Sequence, residues 1–158
     1  MSAGFEKIGI IGAGAWGTAL ACAARRAGRT VILQAHEPEL VEVINEIHEN
    51  SFFLPGVRLD PEIRATSDLG DIAACDAVLL VSPAQFLRPV TEEIARFWRP
   101  GVAAVICAKG IEQNTAALMS EICIETLPEA PLAVLSGPTF ARRPPSPWPA
   151  PITLSVRP

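Results

Sequence analysis

The sequence has 158 residues and a formal net charge of −4, with thirteen basic and seventeen acidic side chains. This length fits one domain with a sizeable core, and a hydrophobic content of 49% excludes a disordered or fibrous chain. The net negative charge argues against a protein that binds nucleic acid or an anionic membrane surface. Any anionic ligand must therefore be held by a local site.

Short apolar runs alternate with amphipathic stretches along the chain, which is typical of repeated βα units around a parallel sheet. The apolar runs predict strands at Ile8–Ile11, Thr30–Leu33, Ala77–Val81, Val102–Cys107 and Leu132–Leu135, with weaker candidates at Ile63–Thr66 and Ile152–Val156. Helical spacing predicts helices at Trp16–Ala27, Pro38–Glu49, Ala84–Phe97 and Asn114–Thr126. We therefore expect an α/β fold of the Rossmann type, a doubly wound and mostly parallel sheet with helices on both faces.

The sequence carries no signal for export or membrane anchoring. The N-terminus lacks a basic stretch followed by an apolar core, and no apolar run reaches the roughly 18 residues that a membrane-spanning helix needs. Cys22, Cys75, Cys107 and Cys123 include no CxxC pair and lie in apolar segments, which favours buried side chains over zinc ligands. We expect a reduced, cytoplasmic protein without a metal site.

Glycines at fixed spacing lie between the first predicted strand and the first predicted helix, in the segment GAGAWG at residues 12–17. In such a loop, Gly12 permits a tight turn, Gly14 lets a diphosphate approach the backbone, and Gly17 lets the helix pack closely on the strand. Unpaired N–H groups and the positive end of the helix dipole would bind the phosphates without a basic side chain. The pattern predicts a dinucleotide-binding site.

Two residues at the end of the second predicted strand bear on the choice of dinucleotide. Glu37 lies about twenty residues past the glycines, where an acidic side chain accepts hydrogen bonds from the adenosine ribose hydroxyls of NAD. His36 beside it could stack on adenine, meet the 2′-phosphate of NADP, or be a solvated residue at a strand end. The choice between NAD and NADP stays open.

Lys109 closely follows the predicted strand Val102–Cys107. Open α/β sheets bind ligands beyond the carboxyl ends of their strands, so its ammonium group would point into the functional crevice, where it can hold a small anion or polarise a carbonyl group. An ordinary solvated charge is the alternative. The segment SGPT at 136–139 follows the next strand and could bind a substrate oxygen through backbone N–H groups and the Thr139 hydroxyl, although generic turn chemistry explains it equally well.

Residues 142–151 hold five prolines, which remove backbone donors and clash inside helices. We expect an irregular, polyproline-like surface loop there, and we favour it over a ligand for an SH3-type domain.

Four sequence blocks are specific in combination: GAGAWGTALA at 12–21, NSFFLPG at 50–56, KGIE at 109–112 and LSGPTFA at 135–141. Their order and spacing over about residues 7 to 141 resemble the N-terminal half of bacterial NAD(P)-dependent glycerol-3-phosphate dehydrogenase. The resemblance implies reversible hydride transfer between a nicotinamide and the C2 carbon of dihydroxyacetone phosphate, giving sn-glycerol 3-phosphate for phospholipid synthesis.

The resemblance also implies roles for individual residues. It implies cofactor contacts at Ala15, Trp16, His36, Phe53 and Ala141, and substrate contacts at Gly137 and Thr139. Lys109 would face both cofactor and substrate as an auxiliary catalytic residue. Serine is usual where Ala15 stands and tyrosine where Phe53 stands, so a hydroxyl is lost at each position and cofactor contacts should weaken. On the residues alone, Phe52 and Phe53 would instead be core anchors of their loop.

Family members continue past the position of Ala141 into a helical second domain that carries the main catalytic lysine and most ligands of the substrate phosphate. In this sequence the proline-rich segment follows, so we expect residues 1–158 to form one dinucleotide-binding domain without the helical substrate domain. Hydride transfer also needs an oriented substrate and a general acid. The chain by itself should therefore bind the dinucleotide weakly and be inactive or nearly so.

Two other functions compete with this interpretation. One is another two-domain Rossmann reductase, of the 6-phosphogluconate or ketopantoate type, against which the FLPG and KGIE segments argue. The other is a non-catalytic nucleotide-sensing domain, which has no need for a lysine in the crevice. The expected partner is a small phosphorylated substrate, and the oligomeric state, with a homodimer as one candidate, is left open.

Overall fold

A computed structural model describes residues 4–136 and 153–156. In chain order its elements are β1 (Lys7–Ile11), α1 (Ala15–Arg26), β2 (Thr30–Gln34), α2 (Pro38–Ile47), β3 (Ile63–Thr66), α3 (Leu69–Ala73), β4 (Ala77–Leu80), α4 (Leu87–Ile94), β5 (Ala103–Ile106), α5 (Met119–Thr126), β6 (Leu132–Ser136) and β7 (Thr153–Val156). Short 3₁₀ turns at Ala84–Phe86 and Ala95–Phe97 flank α4.

The strands of the described residues form one sheet in the order β3-β2-β1-β4-β5-β6-β7. Strands β1 to β6 run parallel, and β7 pairs antiparallel with β6. The chain builds one half of the sheet with β1, β2 and β3, and then returns to place β4 on the other side of β1. Ligands of doubly wound sheets bind at this reversal, outside the carboxyl ends of the strands. The predicted fold class is confirmed.

The predicted strands are all present, with ends shifted by no more than one residue, whereas the helices differ more. The helix expected over residues 114–126 begins only at Met119, because Ala116 takes a left-handed backbone conformation (φ 56°) and Leu118 forms a bridge with Ile111. Helix α3 was not predicted, since five residues are too few to show helical periodicity. Its start is fixed by Asp68, whose side chain accepts a hydrogen bond from the Gly70 amide at 2.7 Å.

Two apolar cores flank the sheet, because successive side chains of a strand point to opposite faces. On one face Ile10 and Leu33 pack beneath α1 and α2, together with Leu40 and Ile44 of α2. On the other face the apolar cluster joins the neighbouring strand residues to α3, α4 and α5, and includes Ile11, Ile32, Ile72, Leu87 and Ile122. Burial of each such side chain stabilises the fold by about 1.5–3 kcal/mol. The helices therefore hold both faces of the sheet and leave its edges to the loops.

The cysteines are unpaired, and three of the four are buried in these cores. Burial raises the pKa of the Cys75 thiol to about 11 and the pKa of the Cys107 and Cys123 thiols to about 12. Among residues 4–136 and 153–156, no cluster of three or more His, Cys, Asp or Glu side chains could hold a metal ion. In the same part of the chain, no helix has the length and apolar character needed to cross a membrane.

Candidate functional site

Loops from four parallel strands converge at the carboxyl edge of the sheet, on both sides of the reversal between β1 and β4. The turn after β1 is joined to β2 by a hydrogen bond from the Gly12 amide to the Gln34 carbonyl (3.2 Å). The amides of Cys107 and Ala108, which follow β5, both donate to the Leu80 carbonyl at the end of β4 (2.9 and 3.1 Å). The loops of β1, β2, β4 and β5 thus surround one crevice.

The three glycines of the first loop occupy three different environments. Gly12 has φ +106°, a conformation that L side chains rarely adopt, which confirms the predicted tight turn. A Cβ atom on Gly17 would overlap the Gly12 carbonyl oxygen, which confirms that this glycine allows helix and strand to pack closely. Gly14 differs from both: it has an ordinary φ of −69°, and a Cβ placed there would meet no atom within 4 Å. The fold does not require a glycine at this position, whereas an approaching ligand would.

The start of helix α1 faces the same open space. Gly14 is its N-cap and offers no side-chain hydrogen bond, and the first turn contains no acidic residue. The first intrahelical bond runs from the Thr18 amide to the Gly14 carbonyl (3.0 Å), so the preceding amides lie before the ladder begins. Ala15 and Trp16 are half-buried on this turn. Backbone donors, the positive end of the helix and free space at Gly14 together fit a diphosphate group.

Asn50 joins the glycine loop to the NSFFLPG segment. It is fully buried, and its side-chain amide donates to the Ala13 carbonyl (2.7 Å) and to the Thr18 hydroxyl (2.8 Å). Its side-chain oxygen accepts a hydrogen bond from the Phe53 amide (3.0 Å). Sequence analysis assigned no role to Asn50, and the one signal for it is a polar residue shortly before the apolar run at residues 52–54.

Phe52 and Phe53 project from this segment, with ring centroids 6.5 Å apart and exposed fractions of 56% and 45%. The prediction from the residues alone, that they anchor the core, is wrong. Leu54 does so instead, at 1% exposure. Phe53 therefore offers an apolar surface near the glycine loop, which is where the family resemblance implies a cofactor contact.

His36 and Glu37 directly follow the turn at the end of β2 and are both exposed. Glu37 is the N-cap residue of α2, and its backbone carbonyl accepts hydrogen bonds from the Leu40 and Val41 amides. Its side chain makes no capping hydrogen bond. The Glu37 carboxylate therefore lies at the carboxyl edge of the sheet and takes no part in capping the helix.

The loop that carries Lys109 is held in place by α4 and by the turn before it. Lys109 is exposed, and Gly110 beside it has φ +139° and approaches so closely that a Cβ there would lie 2.9 Å from the Ala84 Cβ. The Gln85 side chain clamps the same loop, since it donates to the Ile111 carbonyl (2.9 Å) and accepts from the Gln113 amide (3.0 Å).

A buried acidic residue completes this attachment. Glu112 is 8% exposed and accepts hydrogen bonds from Arg88 of α4 at 2.9–3.1 Å and from the Thr115 hydroxyl. The Arg88 guanidinium, followed by the Thr115 hydroxyl, lowers the pKa of the Glu112 carboxyl group. Glu112 therefore fixes the loop in which Lys109 is exposed, after the carboxyl end of β5. This ion pair could not be predicted from the sequence, because Arg88 and Glu112 lie 24 residues apart in different elements.

Ser82 is a further residue of the crevice that the sequence did not single out. It follows β4 and packs against the glycine turn, since a Cβ on Gly12 would lie 3.1 Å from the Ser82 amide nitrogen. Ser82 is 6% exposed, and its hydroxyl has no hydrogen-bond partner within the described residues.

The remaining predicted site residues, Gly137, Thr139 and Ala141, and the proline-rich segment 142–151 lie outside the described residues. The structure therefore brings together Gly12, Gly14, Ala15, Trp16, Gly17, His36, Glu37, Phe53 and Lys109 along one edge of the sheet. Their contacts with ligands stay predictions.

Comparisons with known proteins agree with this architecture. Residues 7–156 match the family described as the N-terminus of NAD-dependent glycerol-3-phosphate dehydrogenase. Glycerol-3-phosphate dehydrogenase [NAD(P)+] of Paramagnetospirillum magneticum is 62% identical over 136 residues, which are 86% of this chain and 50% of that protein. The enzyme of the same name from Caulobacter vibrioides is 53% identical over 96% of this chain and 46% of its own length.

Solved structures of such enzymes share the fold. The crystal structure of glycerol-3-phosphate dehydrogenase from Coxiella burnetii has a TM-score of 0.81 and 28% identity, over 87% of this chain and 42% of that one. The chain thus spans about half the length of the relatives it matches. On this family match, the chain belongs to the family of NAD-dependent glycerol-3-phosphate dehydrogenase N-terminal regions.

Proposed function

We propose that this chain is the dinucleotide-binding part of an NAD(P)-dependent glycerol-3-phosphate dehydrogenase. The observation that carries the proposal is the environment of Gly14, where the fold leaves open space in front of the first turn of α1. A structural turn alone does not need that space. The family match supports a nicotinamide dinucleotide as the ligand that fills it.

In this proposal the glycine loop holds the diphosphate. The amides at the start of α1 donate to its oxygens, and the positive end of the helix stabilises its charge. No basic side chain is needed, which suits a protein with a net charge of −4. Ala15 and Trp16 line the same turn, Phe53 covers the ligand with an apolar surface, and His36 and Glu37 meet the adenosine ribose.

Lys109 acts on the other side of the crevice, next to the reversal of the sheet. When bound, a nicotinamide ring supplies a carbon that accepts or donates a hydride. The Lys109 ammonium group would hold and polarise the oxygen of a small phosphorylated substrate, dihydroxyacetone phosphate or glycerol 3-phosphate. Gln85 and Glu112 keep the Lys109 loop in position for this. Gly137 and Thr139 would contact the same substrate, and Ala141 the cofactor.

The proposal includes a second, helical domain in the complete enzyme, which would supply the main catalytic lysine. The chain alone is then expected to bind the dinucleotide weakly and to turn over little or no substrate. A cytoplasmic setting is part of the same proposal and is supported by the unpaired cysteines.

Calorimetric titration of the chain with NADH and NADPH tests the proposal, with Gly14→Val as the variant. At φ −69°, with no atom within 4 Å of an added Cβ, the backbone accepts a side chain at this position, and that of valine would occupy the space before the helix. We expect binding by the parent chain and a loss of affinity of about tenfold or more in the variant, while the thermal melting curve changes little. No binding of either dinucleotide by the folded parent chain, or equal binding by Gly14→Val, would overturn it.

A further inference from the structure

The Asn50 side chain is the one buried carboxamide that touches the glycine loop among the described residues, and its orientation is fixed by its partners. The Ala13 carbonyl can only accept a hydrogen bond and the Phe53 amide can only donate one. The Asn50 amide nitrogen must therefore face Ala13, at 2.7 Å, and its oxygen must face Phe53, at 3.0 Å. Because Asn50 is fully buried, water offers these groups no alternative partner.

The contact with Ala13 sets the direction of a neighbouring donor. The peptide bond between Ala13 and Gly14 is trans and planar, so its C=O and N–H groups point in opposite directions. Asn50 and the Thr18 hydroxyl hold the Ala13 carbonyl toward the protein interior. The Gly14 N–H consequently points away from Asn50, and a Cβ on Gly14 would meet no atom within 4 Å.

The rest of the Asn50 environment keeps this contact rigid. The segment that begins at Asn50 is closed at its base by a bridge between Glu49 and Arg58 and by a hydrogen bond from the Gly56 amide to the Glu49 side chain (2.9 Å). The Asn50 carbonyl also accepts from the Leu54 amide at 2.9 Å. The carboxamide is therefore anchored before any ligand arrives.

We propose that Asn50 is a positioning residue, which rotates and locks the Ala13–Gly14 peptide so that the Gly14 N–H is aimed at the diphosphate of the bound dinucleotide. This inference rests on the proposed function, since it names the residue that prepares that site. Asn50 itself touches no part of the ligand. Its contribution is the orientation of a backbone donor before binding, which lowers the cost of ordering the loop.

Asn45 provides a control for the loss of an asparagine side chain that bridges two backbone groups. Its side chain also bridges backbone groups, donating to the Ala65 carbonyl (3.1 Å) and accepting from the Ala65 amide (2.8 Å). It does so between α2 and β3, away from the glycine loop. Asn45 is exposed, so Asn45→Ala removes a side-chain bridge of similar geometry from a solvated position and leaves the contacts of Asn50 with the glycine loop in place.

The experiment measures the affinity of the chain for NADH and for ADP, which carries a diphosphate without a nicotinamide, at a temperature where circular dichroism shows every variant folded. We expect Asn50→Ala to lower the affinity for both ligands by the same factor of about ten or more. Asn45→Ala should change neither affinity by more than about twofold. Asn50→Asp keeps the shape and the acceptor for Phe53 but loses the donor to Ala13, so it should weaken both ligands in the same way.

An NMR titration gives a direct view of the donor. In the parent chain the Gly14 amide signal should shift on addition of ADP, and in Asn50→Asp this shift should shrink while signals near Asn45 stay unchanged. If the parent chain binds neither ligand, the proposed function fails. Two results would overturn the role of Asn50 alone while the parent chain still binds. One is that both Asn50 variants bind NADH and ADP as tightly as the parent chain does. The other is that the affinity for NADH falls in the variants while the affinity for ADP does not.

Discussion

The amino and carboxyl edges of the sheet both carry polar groups, but they use them differently. At the amino edge the Asp76 carboxylate accepts hydrogen bonds from the Glu6 and Lys7 amides (2.9 and 2.8 Å). Arg99 donates there to the Ala73 and Cys75 carbonyls (3.2 and 3.3 Å). At the carboxyl edge, by contrast, the space in front of Gly14 is open and the Ser82 hydroxyl has no partner within the described residues.

The difference teaches that a groove lined by charged side chains is not by itself a sign of a ligand site in this fold. The amino edge contains a groove of about 500 Å³, lined by Asp76 and Arg99 among others. Asp76 and Arg99 bind backbone groups at the start of β1 and after α3, so these charged side chains stabilise the fold. Among the described residues, the carboxyl edge has backbone donors at the start of α1 and open space at Gly14, and a ligand site needs both.

The largest effect should follow from Gly17→Ala, which tests the part of the carboxyl edge that belongs to the fold. The added Cβ would overlap the Gly12 carbonyl oxygen, so α1 must move away from β1. We expect a loss of about 3 kcal/mol or more in the free energy of unfolding, measured by urea denaturation. Gly14→Ala serves as the control and should cost less than about 1 kcal/mol. Equal losses in the two variants would erase the distinction between these glycines.

Acid should destabilise the fold by protonating carboxylates that accept hydrogen bonds in the folded state. Hydrogen bonds from the Lys7 and Glu6 amides lower the pKa of Asp76, and the Arg88 guanidinium lowers the pKa of Glu112. A lowered pKa in the folded state adds stability that is present above the unfolded pKa and is lost as the pH falls through the folded one. Urea midpoints measured from pH 7 downward should therefore decline below about pH 5. A midpoint that stays level to about pH 3 would contradict this account.

A smaller effect is expected from Asp76→Ala, which removes one such carboxylate from the amino edge. The Glu6 and Lys7 amides lose their acceptor, so the melting temperature should fall and its acid dependence should flatten. The affinity for NADH, measured by calorimetry, should stay within about twofold of the parent value, because the variant leaves the carboxyl edge intact. A large loss of affinity in a folded variant would show that the two edges do not act separately.

The sequence predicted the fold well because strand signals here are local. Strands β1, β2 and β4 are buried on both faces over most of their length, so their continuous apolar runs identify them without knowledge of their neighbours. Helix α3 and the late start of α5 were missed because they depend on a side-chain cap at Asp68 and on a bridge between Ile111 and Leu118. Such contacts link residues that no periodicity connects.

The residues of the candidate site also fall into two groups, those that local spacing predicts and those that depend on contacts between distant parts of the chain. Gly12 and Gly17 could be interpreted from spacing alone, since turn and packing are consequences of the local chain path. The roles of Asn50 and Glu112 could not, because their partners Ala13 and Arg88 lie 37 and 24 residues away. The exposure of Phe52 and Phe53 could not be predicted either, because nothing in the sequence distinguishes these two apolar residues from the adjacent Leu54, which is the buried one. Sequence spacing identified the loop, and only the structure identified what holds it.

The smallest effect tests how far the carboxyl edge discriminates between ligands. Glu37 is exposed at the end of β2 and its carboxylate is not used to cap α2. A carboxylate in this position accepts hydrogen bonds from a ribose diol and repels a 2′-phosphate. Glu37→Ala should therefore lower the affinity for NADH and raise the affinity for NADPH, each by about threefold, as expected for an exposed charge. Calorimetry with both dinucleotides measures the ratio, and Glu39→Ala, in the first turn of α2, is the control because its charge lies on the helix beyond the strand end. If the ratio of the two affinities is the same in both variants, the long-range charge of the domain, rather than the placement of Glu37 at the sheet edge, governs the choice of cofactor.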